Sequence, residues 1–71
     1  MRHAKIVHVK VTVKYDALGI NNKKEMCVRY NNGNIKVWRN YIPKEVDKFI
    51  KSARCIRQVA DLFGEVTEYV V

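Results

Sequence analysis

Little in this chain equips it for covalent chemistry. Ser52 is the only serine, the two histidines, His3 and His8, sit near the N-terminus, and neither a carboxylate pair nor a Gly-rich phosphate loop is visible. General acid–base and nucleophilic catalysis need such groups assembled together, so no enzyme activity is expected. Cys27 and Cys55 lack CxxC spacing and form no recognised ligand pattern with His3 and His8. Isolated cysteines in small cores act mostly as small hydrophobes, so neither a metal nor another cofactor is expected. The longest apolar runs are two or three residues, against roughly 20 for a membrane-crossing helix, so no spanning segment and no membrane partner is expected. Arg2, His3 and Lys5 interrupt any apolar leader, and with no CxxC spacing the expectation is a reduced, cytoplasmic protein.

What the chain does have is positive charge. Fourteen Lys and Arg stand against seven Asp and Glu, giving +7 over 71 residues, and the first 24 residues hold six of those cations and one of the acids. Such a field speeds encounter with phosphate backbones or acidic proteins, or serves solubility alone, and does little to choose a fold. Hydrophobic residues make up 48%, enough for an ordered domain rather than a disordered basic tail. At this length there is material for one core and not two, so residues 1–71 read as a single small basic α+β domain.

Residues 6–15 alternate, with Val7, Val9, Val11, Val13 and Tyr15 on one face and His8, Lys10, Thr12 and Lys14 on the other, which predicts a strand. Residues 16–25, with Gly19, Asn21, Asn22, Lys23 and Lys24, have loop composition. Met26, Val28 and Tyr30 alternate next, Asn31-Asn32-Gly33-Asn34 supplies a tight turn, and Ile35, Val37 and Trp38 follow, which predicts a β-hairpin. Pro43 suits the first turn of a helix. Val46, Phe49, Ile50 and Ala53 make one apolar stripe and Ile56, Val59, Ala60 and Phe63 a second, offset stripe, so the helix either curves or breaks near residues 52–54. Gly64 is a C-terminal stop, and residues 66–71 have the composition of a last strand; an unpaired edge beside them would invite dimerisation.

The expected fold is therefore a small antiparallel sheet of a strand, a β-hairpin and a short C-terminal strand, with one kinked helix or two short helices packed on one face. Its core would hold Val7, Val9, Val11, Val13, Met26, Val28, Ile35, Val37, Phe49, Ile50, Ala53 and Ala60. The outward face would then carry His8, Lys10, Thr12, Lys14, Cys27, Arg29, Lys36 and Trp38. Cations beside an exposed indole suit a nucleic-acid platform for RNA or single-stranded DNA, on which Lys10, Lys14, Arg29 and Lys36 hold phosphates and Trp38 stacks a base. The assignment depends on register: a slip of one residue in the third strand turns Trp38 inward and Val37 outward. On the helix Lys44, Lys48 and Lys51 share a face, either as a secondary phosphate-tracking stripe or as an ordinary solvated face with Glu45 and Asp47.

From Met26 to Ala53 the pattern resembles the KTSC domain, a small domain found at the C-terminus of some lysyl-tRNA synthetases and as a free-standing bacterial protein. The resemblance rests on an early Tyr15, the apolar strand Met26, Val28 and Tyr30, the hairpin Gly33, the aromatic Trp38, then Ile42-Pro43 and a helix with Val46, Phe49 and Ala53. The family's Tyr-x-Tyr pair is here Lys36-Val37-Trp38, and its Ser-x-Gly after the helix's alanine is replaced by Arg54-Cys55-Ile56. The resemblance implies RNA binding, transferred to Trp38 alone. The alternative class of function is a small regulatory protein, of phage or mobile-element type, that binds an acidic partner protein or forms a homodimer through Trp38, Tyr30 and Tyr41.

Overall fold

The computed structural model describes residues 4–18 and 22–71; Arg2, His3, Gly19 and Asn21 from the readings above lie outside them. The elements in chain order are β1 (Ile6–Lys14), β2 (Lys23–Tyr30), β3 (Ile35–Arg39), α1 (Lys44–Ser52), β4 (Arg54–Ala60) and β5 (Gly64–Val70). All five strands form one antiparallel sheet in the order β3-β2-β1-β5-β4. β1 is central, and β5 lies between β1 and β4, so the free edges belong to β3 and β4 and not to the C-terminal strand.

The first half follows its local signals. Alternation fixes β1, and residues 31–34 turn the chain between β2 and β3, with Gly33 at φ 89, a conformation that costs glycine no Cβ clash. The turn closes through the Gly33 N–H donating to the Tyr30 carbonyl at 3.1 Å and the Tyr30 N–H donating to the Asn34 carbonyl at 2.9 Å. Asn40, at φ 56, ends β3 in the left-handed region that asparagine tolerates. Its N–H donates to the Lys24 carbonyl at 2.9 Å, and the Lys24 N–H donates to its Oδ1 at 3.2 Å. Pro43 leads into α1, and the N–H groups of Val46 and Asp47 in its first turn donate to the Pro43 carbonyl at 3.1 and 3.0 Å. Glu45 and Asp47 lie in the first turn and Lys51 in the last, matching the helix dipole.

The second half corrects the helical reading. In place of one kinked helix or two short ones there is, among the described residues, a single nine-residue helix, and the stripe of Ile56, Val59, Ala60 and Phe63 belongs to β4 and the turn after it. Those four side chains are all exposed, so helical spacing had no core to serve. What decides the conformation is pairing with β5 and a local turn: the Asp61 carboxylate accepts the N–H groups of Phe63 and Gly64 at 2.8 and 3.0 Å, and the Asp61 N–H donates to the Gly64 carbonyl at 2.9 Å. Gly64, read as a helix stop, is instead the first residue of β5, and a Cβ there would run into the carbonyl oxygen of Val13.

The core is small. Val9, Met26, Val28, Tyr30 and Val46 are buried, with Ile6, Val11, Trp38, Phe49, Ile50 and Tyr69 packed against them. Each fully buried aliphatic side chain contributes about 1.5–3 kcal/mol. Ile35, Val37 and Ala60, expected in that core, are exposed. A bulge between Ile6 and His8 shifts the alternation, bringing Ile6 opposite the buried Tyr30 in place of Val7.

Candidate functional site

Directly paired residues of an antiparallel sheet share a face, so the registers sort every strand residue. Val9 opposite Val28 and Val11 opposite Met26 define the side on which α1 packs. On the other side lie four rows: Ile35, Arg29, His8, Val70 and Arg54; Val37, Cys27, Lys10, Glu68 and Arg57; Arg39, Glu25, Thr12, Val66 and Val59; and Lys23, Lys14 and Gly64. No helix covers these rows among the described residues.

This open face holds seven Lys and Arg, namely Lys10, Lys14, Lys23, Arg29, Arg39, Arg54 and Arg57, against two acids, Glu25 and Glu68. All seven cations are exposed. Glu68 sits mid-face with a side chain 18% accessible, 3.2 Å from His8 Nε2 and 3.9 Å from an Arg57 nitrogen. Glu25 accepts Arg39 Nε at 3.4 Å. The two carboxylates organise parts of the face without offsetting its surplus of cations.

Lys10, Lys14 and Arg29 from the expected contact set thus share one surface, whereas Lys36 and Trp38 do not join them. Lys36 pairs with Val28 and Trp38 with Met26, which places both on the helix side. The register slip considered from the sequence is the one the chain adopts. An indole removes more apolar area from water than Ile35 or Val37, so the strand gains by turning Trp38 toward the core and leaving the two aliphatics out. Trp38 packs 6.0 Å from the Tyr41 ring, and its Nε1 is buried without a hydrogen-bond partner. Lys36 Nζ lies 5.5 Å from the centre of the Tyr30 ring. Tyr30 is itself buried, its hydroxyl donating to Glu45 Oε1 at 3.0 Å. Burial first, and then Glu45, push its phenol above the usual value. Tyr30 is therefore a core residue and not an interface anchor, while Tyr41 is exposed.

The helix cations lie apart from the open face, and Lys51 is engaged by Asp47 at 3.1 Å. Sequence reasoning missed Lys23, Arg39, Arg54 and Arg57. Lys23 stands in a segment of loop composition, Arg54 and Arg57 in one with helical spacing, and Arg39 follows the register of β3. The β-branched pair Ile56 and Val59 ahead of Asp61-x-x-Gly64 was the available signal for a hairpin there.

Among the described residues no three His, Cys, Asp or Glu side chains are grouped to hold a metal ion. No helix there is long and apolar enough to cross a membrane. No protein-family model matches the chain, and no curated protein or solved structure is significantly similar to it.

Proposed function

We propose that this chain is a non-catalytic nucleic-acid-binding module that holds RNA or single-stranded DNA by its phosphates on the open face of the sheet. The observation that supports this most is the segregation of seven cations and two acids onto one uncovered face. Lys10, Lys14 and Arg29 stand on β1 and β2, with Arg54 and Arg57 extending the face across β4. Each phosphate neutralised releases condensed counterions, so affinity falls steeply with salt. With Trp38 opposite Met26 and no Phe, Tyr or Trp in the four rows, base stacking on this face is replaced by backbone contact, which carries little sequence preference. The KTSC-like pattern agrees on ligand class, although the residue it points to lies on the helix side.

The test is titration of a short labelled RNA, its DNA equivalent and a duplex at two salt concentrations, with Trp38→Phe in parallel. Tight binding at low salt that weakens at high salt, unchanged in Trp38→Phe, is expected. No binding at low salt would end the proposal.

A second reading, the small regulator that binds an acidic protein or itself, is favoured by a different observation. Leu62 and Phe63 in the β4–β5 turn are 91% and 80% exposed, and Leu18 in the neighbouring β1–β2 loop is 78% exposed. Apolar side chains clustered at one end mark contact surfaces more often than scattered ones do. A mass in solution above that of a monomer, restored to monomer by Leu62→Ser with Phe63→Ser, would support self-association.

A further inference from the structure

At the end of the open face farthest from His8, the last pair of the β1–β2 ladder is Lys14 opposite Lys23. Like charges directly opposite destabilise a sheet, and a chain of this length has few kcal/mol to spare. Among the described residues the pair has no local compensation. The residue beside Lys14 on β5 is Gly64, which presents no side chain, and among the described residues neither lysine makes an ion pair. The next row supplies Thr12, Glu25 and Arg39, of which Glu25 is occupied by Arg39 at 3.4 Å. Together with Lys24 and Asn40 these residues line an open cleft of about 330 Å³. Lys24 belongs to the helix side of the ladder, opposite Val13, so Lys14, Lys23 and Arg39 are the cations the cleft draws from the open face, against the single Glu25. One wall is fixed by the two hydrogen bonds that tie left-handed Asn40 to the Lys24 backbone.

We propose that this cleft is a phosphate-binding seat, in which the Lys14 and Lys23 ammonium groups flank the anion, the Arg39 guanidinium donates from the adjoining row and the Thr12 hydroxyl supplies a neutral donor. Two ammonium groups facing each other across a cleft repel until an anion lies between them, and phosphate accepts from several donors at once. The seat shares Lys14 with the face proposed above and rests on that reading only for nucleic acid as the source of its phosphate. A free phosphate presents the same chemistry.

The test is an amide-resolved NMR titration of the whole chain with inorganic phosphate at low salt, repeated on Lys23→Gln and Lys14→Gln, with thermal melts of each. Saturable shifts confined to Thr12, Lys14, Lys23, Lys24, Arg39 and Asn40 are expected, with affinity about tenfold lower in either variant. Each variant should also melt higher than the parent in phosphate-free buffer, because the repulsion is relieved, and gain less from added phosphate. Shifts spread evenly over all the cations, or unchanged affinity in both variants, would overturn the seat. A 5′-phosphorylated and a 5′-hydroxyl oligonucleotide separate the sources: preference for the former assigns a terminal phosphate, and equal binding with the same shifts assigns a backbone phosphate. The parent reading fails separately. If phosphate seats but neither oligonucleotide binds, the nucleic-acid proposal falls and the seat stands.

Discussion

The two faces of the sheet are built from the same strands and divided by alternation alone, yet they do opposite things with charge. On the helix side Met26, Val28 and Val9 are sealed under α1, Lys36 lies over an aromatic ring, and Tyr30 and Glu45 satisfy each other. On the open side, one residue along each strand, the cations outnumber acids seven to two and remain exposed. Stability therefore resides on one face, and the binding proposed for this chain on the other. Neighbouring residues should separate cleanly when substituted.

The sharpest contrast is between Met26 and Cys27. Met26→Ala removes a side chain that is 1% exposed from a core of five buried residues and should cost about 2–5 kcal/mol. Cys27→Ala, on the open side, should stay within about 0.5 kcal/mol. Urea unfolding of both variants checks this, and equal losses would mean that the faces are misassigned. Trp38→Ala sharpens the same contrast at the β3 edge. The indole is half-buried, so its loss should destabilise by about 2 kcal/mol, while the folded fraction should bind nucleic acid as the parent does.

A smaller effect belongs to Tyr30. Its phenol is held above the usual value by burial and by Glu45, so the neutral form is favoured in the folded state. That contribution is present in full below pH of about 10, the ordinary tyrosine value, and is lost as pH rises through the raised one. Melts of the parent between about pH 9 and about pH 11, on either side of the ordinary value, should show a steeper decline than those of Tyr30→Phe. Parallel declines would remove the raised Tyr30 phenol as the cause.

The extent to which this was legible in the sequence follows the same division. The alternation in β1 and β2, the Gly33 turn and the Pro43 helix start are local signals, and each produced the element expected. Nothing local distinguishes the two registers open to β3, because Ile35, Val37 and Trp38 put apolar surface on both faces, and burial of the indole decides. Ile56, Val59, Ala60 and Phe63 have helical spacing by coincidence; only pairing with β5, a non-local event, makes their segment a strand. The candidate face was accordingly half visible: Lys10, Lys14 and Arg29 stood in the clear alternation, and Arg54, Arg57, Arg39 and Lys23 required the topology.

The central claim is that charge on the open face, and not charge in general, binds the polyanion. Two triple variants of equal charge test it: Lys10→Gln, Arg29→Gln and Arg57→Gln on the open face, and Lys44→Gln, Lys48→Gln and Lys51→Gln on α1. The measurement is the dependence of RNA affinity on salt for each. The open-face triple should lower the slope of log affinity against log salt by about 2–3, and the helix triple should leave it near the parent's. Equal reductions in both would show that binding follows net charge, and the open face would then have no special role.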